Sequence, residues 1–271
     1  MTEPSTSGAA AERSTGIEGS SSGTDAGITA GTSAGTSAGT SAGTSASALA
    51  LQDPVYAEAV VDLLGAVAYG ELSAFERLAQ DARMAPDLRD KAELAGMAAI
   101  EVGHFERLSE YLAALGADPI AAMAPFVQAF DDFHVRTASS DWLEGLVTAY
   151  VGDGLAADFY SEIAEFLDAD TRRVIIESLR DMGNAEFVVD RVRAAIDRDH
   201  RVAGRLALWG RRLMGEALTQ AQRVAAERDA LSALLAGGVD RPGLDLAAIS
   251  RLFTRLTENH TKRMDNLGLD A

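Results

Sequence analysis

The stretch Glu101-Val-Gly-His104 places an acid and a histidine three residues apart inside a segment of helical periodicity. Residues at i and i+3 of a helix lie on one face, so both side chains can reach the same ion. Glu71 lies 30 residues earlier, in the preceding helical segment. The pattern predicts a helical hairpin that brings two carboxylates and one imidazole to a shared centre.

A degraded copy of this pattern follows one helix pair later. Asp153 and Asp181-Met-Gly-Asn184 repeat the arrangement, with 28 residues between the two aspartates. Two such hairpins packed together would form the carboxylate-bridged metal site of a ferritin-like four-helix bundle. Four acids would balance two ferrous ions, and the metal would offset the cost of burying them. The predicted metal ligands are Glu71, Glu101, His104, Asp153 and Asp181, and the predicted cofactor is a di-iron centre.

Two other acid-x-x-His pairs share the spacing of the central motif. Asp131/His134 lies in a connecting segment, and Asp197/His200 lies at a charged helix junction. We interpret both pairs as structural or solvated. Glycines adjoin the predicted ligands, and mid-helix glycine costs about 1 kcal/mol relative to alanine. This placement predicts close helix approach or local helix distortion around one centre, at Gly70, Gly103, Gly152, Gly154 and Gly183.

Helical signals run through residues 52–271, with no convincing strand pattern. Asp53-Pro54 is a typical helix opening. The segment 117–140 contains two prolines and is expected to be a crossover with one short helix. The predicted fold is an all-α, ferritin-like four-helix bundle with a long crossover after the second helix and extra C-terminal helices. The helices are expected near 53–80, 86–116, 141–167, 170–196, 200–236 and 245–266.

Composition divides the chain into two parts. Residues 1–50 are rich in Ser, Gly, Thr and Ala, and Gly31 to Ala46 is four copies of Gly-Thr-Ser-Ala. Such a tract has few apolar side chains, so burial cannot offset the entropy that the chain loses when it becomes ordered. We therefore expect a disordered tail over 1–50, followed by one helical domain over 51–271.

Composition also excludes several classes of function. The chain has no cysteine, which excludes thiolate metal sites, disulfides and cysteine nucleophiles. No apolar run approaches the ~20 residues that span a bilayer, so we expect no membrane partner and a cytoplasmic location. The net charge of −17 argues against non-specific nucleic-acid binding.

The stretch Glu101-Val-Gly-His104-Phe105-Glu106-Arg107-Leu108 resembles the Glu-x-x-His-Phe-Glu helix of the tRNA hydroxylases that act on methylthio-isopentenyl-adenosine, the MiaE-like family. The segments 149–166 and 205–212 are similar to a high-GC bacterial branch of that family. The resemblance implies a ferritin-like fold, a non-haem di-iron centre and oxygen-dependent hydroxylation of a hypermodified adenosine in tRNA. It also implies an electron donor as a partner.

The second half of the motif departs from the family pattern. Asp153 and Asp181 stand where glutamates are expected, and Asn184 stands where a second histidine is expected. Aspartate reaches less far than glutamate, and an amide is a poor replacement for imidazole at iron. The second metal is therefore expected to be weak, differently coordinated or absent. Competing ligands on the same helices are Asp158, Glu162 and Glu177, and His200 could replace the lost histidine only if the 170–196 helix bends so that it reaches back.

Substrate contacts are less well specified by the sequence. Three arginines could contact tRNA phosphates, or could form salt bridges on an exposed helix: Arg205, Arg211 and Arg212. Trp142 and Trp209 could stack on a base or pack in the core. The last helix could cover the bundle or join two chains in a homodimer. Two rival functions remain open: a ferritin-like protein that binds metal without oxygenating a substrate, and a metal-free helical scaffold.

Overall fold

The computed structural model describes residues 46–179, 185–237 and 246–271, and all its regular structure in these ranges is helical, which confirms the all-α prediction. One helical turn at 46–50 precedes the first long helix. The helices are α1 Pro54–Asp81, α2 Leu88–Ala114, α3 Pro119–Met123, α4 Val127–Arg136, α5 Trp142–Ala164, α6 Ala169–Ser178, α7 Ala185–Arg198, α8 Arg201–Glu227, α9 Asp229–Ala236 and α10 Leu246–Leu267. Short 3-10 turns at Ala82–Met84 and Ala124–Phe126 link neighbouring helices.

Aspartate side chains fix the start of five of these helices. Each accepts a hydrogen bond from a backbone N–H in the first turn, which satisfies a donor that has no partner within the helix. In α1 the Oδ1 of Asp53 accepts a hydrogen bond from Val55 N at 3.0 Å. Pro54 is the first residue of the helix, as the Asp53-Pro54 pair predicted. The five capping residues are Asp53, Asp87, Asp118, Asp141 and Asp168.

Helix α1 is the central element of the bundle. It forms an antiparallel hairpin with α2 and also packs against α3, α5 and α9. Apolar residues of α1 between Tyr56 and Tyr69 belong to or pack against one hydrophobic cluster, and Phe75 and Leu78 do the same for a second. Glu71 lies between these two groups along the helix. The predicted ligand is thereby placed between two apolar cores.

The crossover after α2 is more structured than predicted. It contains two helices, α3 and α4, where the sequence indicated one short helix. Gly116 ends the α2 segment with a left-handed φ of 82°, as its position after the last apolar residue indicated. Pro119 at the first turn of α3 and the Asp118 cap then begin a new helix at once.

The predicted helix over 200–236 is interrupted at Arg228, which has an extended backbone with φ −120° and ψ 93°. The Arg228 guanidinium binds the buried Asp62 carboxylate of α1 through two hydrogen bonds, one of them Nε to Oδ2 at 2.9 Å. It also lies 5.9 Å from the centroid of the Phe126 ring. The break lets α9 pack against α1 instead of continuing along α8.

The predicted helix over 170–196 is also divided. α6 ends at Ser178, and α7 begins at Ala185, after residues 180–184, which lie outside the described part. The last helix, α10, packs against α5, α7 and α8. Leu256 and Met264 of α10 are buried, so this helix covers the bundle. Covering the bundle was one of the two roles predicted for the last helix.

Close approach occurs at two of the predicted glycines, Gly70 and Gly154, and also at Gly65, which was not predicted. A Cβ on Gly65 of α1 would lie 2.6 Å from the carbonyl carbon of Ala122 in α3, so these backbones touch. A Cβ on Gly154 would lie 2.5 Å from Cδ of Arg263. By contrast, a Cβ on Gly103 or on Gly152 would meet no heavy atom within 4 Å. Gly183 lies outside the described residues.

Among the described helices, no single one is long and apolar enough to cross a membrane. Two consecutive segments, Leu88–Ala114 and Pro119–Arg136, are together long and apolar enough to do so by length and composition alone. The chain bends by 112° between them.

Candidate metal centre

The α1–α2 hairpin brings Glu71, Glu101 and His104 together. Nδ1 of His104 lies 3.3 Å from Oε2 of Glu101 and 3.5 Å from Oε2 of Glu71. One ligand atom from each residue lies within 4.8 Å of the other two. All three side chains are largely buried, with exposed fractions of 11%, 14% and 8% in chain order. Carboxylate oxygens and imidazole suit iron, manganese or zinc, so this donor set fits a metal ion.

The charges within this cluster depend strongly on one another. Burial raises the pKa of Glu71 to about 8. Burial alone would also raise the pKa of Glu101, but hydrogen bonds with His104 and Glu71 hold it below its usual value. Hydrogen bonds to Glu101 and Glu71 raise the pKa of His104 to about 9. The protein groups alone therefore retain protons that a bound cation would displace.

The cluster lies on the wall of a cavity of about 530 Å³, a volume typical of small-molecule binding sites. Most of the wall is apolar. Residues from α1, α2, α4, α5 and α8 contribute to it, among them Val67, Met97, Phe130, Phe159 and Met214, and α6, α7, α9 and α10 add further residues. The three candidate ligands are therefore polar groups on the surface of an otherwise mostly hydrophobic chamber.

Helix α5 presents two small residues and one tyrosine to this chamber. Gly152, Ala156 and Tyr160 recur at four-residue steps, lie on one helix face and line the cavity. A Cβ on Gly152 would meet no heavy atom within 4 Å. Burial and the nearby Glu71 carboxylate raise the pKa of Tyr160 above its usual value.

The sequence model of one protein family matches residues 54–238, which is more than half of the chain. That family is described as a ferritin-like domain of actinomycetes. The chain belongs to this ferritin-like family. No curated protein matches it.

A solved structure extends the comparison to the fold of this ferritin-like protein. The similar chain is a Synechococcus protein described as having aldehyde deformylating oxidase activity. The two share 19% sequence identity with a TM-score of 0.60, over 80% of this chain and 93% of the other. Identity at that level supports the shared fold alone, and it confirms the predicted ferritin-like architecture.

Of the second predicted half of the centre, the described part of the chain contains only Asp153. Asp153 lines the cavity but is exposed, and it does not join the cluster of ligand atoms formed by Glu71, Glu101 and His104. Asp181 and Asn184 lie outside the described residues of the ferritin-like protein, so their roles remain predictions.

The competing ligands on these helices have other surroundings. Asp158 accepts a hydrogen bond from Arg263 Nη2 at 2.6 Å, and Glu162 is paired with Arg255. Glu177 and His200 are exposed. None of these four belongs to the three-residue group that the described part of the chain offers to a metal.

The three arginines predicted to contact substrate bind groups of the protein itself. Arg205 pairs with Asp141 at 2.7 Å and with the buried Glu144. Arg211 donates to the Asp270 carbonyl at 3.0 Å. These contacts match the alternative interpretation, in which the arginines form structural bridges.

The guanidinium of Arg212 lies 5.7 Å from the ring centroid of Trp209. Trp209 and Trp142 both pack against the second hydrophobic cluster, and Trp209 donates from Nε1 to Thr148 Oγ1 at 2.9 Å. The two tryptophans therefore pack in the hydrophobic core, which was one of the two roles predicted for them.

Two polar residues of the cavity wall were missed from the sequence. His134 was interpreted as structural, and Gln220 carried no signal at all. The only available hint for His134 was its place beside Phe130 and Phe133, which form one apolar face of α4. Phe130, Phe133 and His134 stand at positions i, i+3 and i+4 and so share one face of α4. The histidine of this face can therefore point a polar group into an apolar space.

His134 makes the stability of the protein depend on pH. Burial, with help from the charge of Arg77, lowers the pKa of His134 to about 4. The unfolded state, with a pKa near 6.5, binds the proton more tightly, so stability falls as pH decreases from about 6.5 toward 4. We expect wild-type protein to lose about 1–2 kcal/mol more than His134→Phe between pH 7 and pH 5. Urea unfolding at both pH values measures the difference, and parallel losses in the two proteins would contradict it.

Proposed function

We propose that this ferritin-like protein is a non-haem iron oxygenase-like enzyme that acts on a small, largely apolar molecule. The observation that carries the proposal is the buried group of Glu71, Glu101 and His104 on the wall of a 530 Å³ apolar cavity. Bound iron would supply the redox chemistry of oxygen activation, with a second iron if the α5–α7 half contributes ligands. The reaction also requires an external electron donor.

The residues of the chain have three tasks in this proposal. Glu71, Glu101 and His104 would hold iron in one fixed orientation, because they project from two tightly packed helices. The apolar wall would exclude water and seat the substrate beside the metal. The small side chains Gly152 and Ala156 would leave the space that a substrate requires.

A precedent for oxidase chemistry in this fold is the Synechococcus protein with aldehyde deformylating oxidase activity. Hydroxylation of a modified adenosine in tRNA, which the motif resemblance implied, is the less supported form of the proposal. The net charge of −17 disfavours a polyanionic partner, and Arg205 and Arg211 are bound to protein groups. A protein that binds metal without oxygenating anything is the main alternative.

Gly152→Leu distinguishes the oxygenase from that alternative. Gly152 lines the cavity and no heavy atom lies within 4 Å of its Cβ position, so we expect the added side chain to occupy part of the substrate space. We expect iron content to stay at the wild-type value, while oxygen consumption that depends on reductant and an apolar test substrate falls at least about tenfold. An oxygen electrode and metal analysis measure the two quantities.

Gly96→Ala on the exposed face of α2 serves as the control for replacing a helical glycine. Iron-loaded wild-type protein that consumes no oxygen with reductant and any of a set of apolar aldehydes, alkenes and arenes would favour the metal-binding alternative. Wild-type protein that takes up no iron would refute the proposal entirely.

A further inference from the structure

A buried arginine and a histidine without partners share the wall of the cavity. Arg77 of α1 and His134 of α4 both line it, and the side chain of Arg77 is only 10% exposed. Both ring nitrogens of His134 are buried, and neither has a hydrogen-bond partner within the described part of the chain. Buried polar atoms of folded proteins are almost always paired, so these nitrogens indicate a missing partner.

Contacts on both sides of His134 place it next to Arg77. A Cβ on Gly70 would lie 3.3 Å from Cε1 of Phe130, and Arg77 Nη2 donates a hydrogen bond to the carbonyl oxygen of Thr137. The two contacts are seven residues apart on both segments, so α1 and α4 run side by side in the same direction. Phe130, His134 and Thr137 follow one another at four- and three-residue steps and share one face. His134 therefore faces α1 between Gly70 and Arg77.

The α1 residue at the level of His134 is small. The same register matches His134 with Ala74, which also lines the cavity. A methyl group at this level leaves more room beside the imidazole than a longer side chain would. The charge of Arg77 is close enough to act on the imidazole, since it joins burial in lowering the pKa of His134, against a smaller opposite effect of Asp131.

The guanidinium of Arg77 has one nitrogen left for a ligand. Nε contacts Oδ2 of Asp81 at 3.2 Å, and Nη2 donates to Thr137 and, at 2.8 Å, to Oγ of Ser139. Within the described ranges, Nη1 has no hydrogen-bond partner. A neutral imidazole carries one N–H, so neighbouring positions of α1 and α4 offer two donors from different helices.

The two donors define the missing partner. A carboxylate has two oxygens that only accept, and its hydrogen bonds with a guanidinium are of the strong, charge-assisted kind. An ammonium group has no acceptor and would be repelled by Arg77. A ketone has one acceptor oxygen and no charge. Asp81, the acid paired with Arg77, contacts Nε and leaves Nη1 available.

We propose that Arg77 and His134 bind the carboxylate of an otherwise apolar ligand in this cavity. Glu71 precedes Arg77 by six residues on α1, which is roughly 9 Å along the helix axis. The apolar wall would hold the body of the ligand between the carboxylate and the candidate metal ligands. The identification of this ligand with the substrate of an oxygenase rests on the proposed function. The binding itself does not require iron.

Two ligands of nearly the same shape test the proposal. 2-Naphthoate and 2-acetylnaphthalene carry a carboxylate and a neutral methyl ketone at the same ring position. Equilibrium dialysis against the full-length protein gives both dissociation constants from the absorbance of the ligands. A chelator is present throughout, so that no metal at the Glu71 cluster binds the carboxylate. The ratio of variant to wild type for each ligand cancels their different solubilities in water.

We expect His134→Phe to weaken 2-naphthoate binding by about tenfold, because one hydrogen bond to the anion is lost. Arg77→Gln combined with Asp81→Asn should weaken it by about 30-fold or more, and this double change leaves no buried charge of the pair alone. The affinity for 2-acetylnaphthalene should stay within about threefold in both proteins. Met214→Leu, an apolar change in the same wall, should alter both affinities by the same factor.

Circular dichroism and thermal unfolding of each variant show whether the helical fold is kept, and His134→Phe tests the site if the double variant does not fold. Equal losses of both ligands would mean that these residues only shape the cavity. Unchanged 2-naphthoate binding in the variants would mean that the carboxylate is bound elsewhere. Wild-type protein that binds only the ketone, or neither ligand, would also overturn the inference. A chain that binds 2-naphthoate as expected but takes up no iron would refute the proposed function and leave this inference standing.

Discussion

Glu101→Ala is expected to remove iron from the protein, with an apparent affinity about 100-fold or more below that of the wild type. Glu101 supplies one of three ligand atoms that lie within 4.8 Å of one another, and it also orients His104 through the 3.3 Å contact. Its loss therefore removes a ligand and releases a second one. Metal analysis after iron-replete expression, followed by titration of the chelated protein with ferrous iron, measures the effect.

Glu110→Ala is the matched control, because Glu110 is an exposed acid nine residues further along the same helix. It should leave iron content unchanged. Equal iron content in Glu101→Ala and wild type would show that the ligands are assigned wrongly. If the wild type binds no iron and Glu101→Ala only lowers the free energy of unfolding by about 3–5 kcal/mol, the cluster is a buried ionic network and the scaffold hypothesis holds.

Gly65→Ala is expected to destabilise the fold by about 3 kcal/mol or more. The new methyl carbon would lie 2.6 Å from the carbonyl carbon of Ala122, so the backbones of α1 and α3 would have to separate. A main chain cannot rotate away as a flexible side chain can. For a domain of this size, the melting temperature should fall by roughly 6–12 °C.

Gly96→Ala makes the same chemical change on the exposed side of α2, where the Cβ position has no neighbour within 4 Å. It should stabilise the protein by about 0.5–1 kcal/mol, because alanine loses less conformational freedom than glycine on forming a helix. Both variants are compared by thermal and urea unfolding. A Gly65→Ala protein as stable as Gly96→Ala would show that α1 and α3 are not in contact at this point.

The helices were predictable because their boundaries are encoded locally. Asp53-Pro54 and Gly116 act within one turn of chain, and the structure has a helix start and a helix stop there. The interruption at Arg228 was not predictable in this way. Its cause is Asp62, which lies 166 residues away in sequence, and no local pattern reports such a pairing.

The candidate metal centre also has one part that was predictable from local sequence and one part that was not. Glu101 and His104 are three residues apart on one helix, and α1 returns Glu71 to them through a short connection. Asp153 seemed equivalent by spacing, but its exposure depends on how α5 is rotated within the bundle. Tertiary packing, and not local sequence, decides how α5 is rotated about its axis. Tertiary packing also decides that a cavity forms where Gly152 and Ala156 of α5 lie.

All three members of the Glu71–Glu101–His104 group come from consecutive helices, while much of the surrounding wall comes from α4, α5 and α8. A nascent chain that has left the ribosome as far as Ala114 already contains every group needed to capture a cation. The compartment that would shelter it is completed only after more than a hundred further residues have been translated. The three candidate ligands would therefore be present together in the nascent chain before the chamber around them is complete.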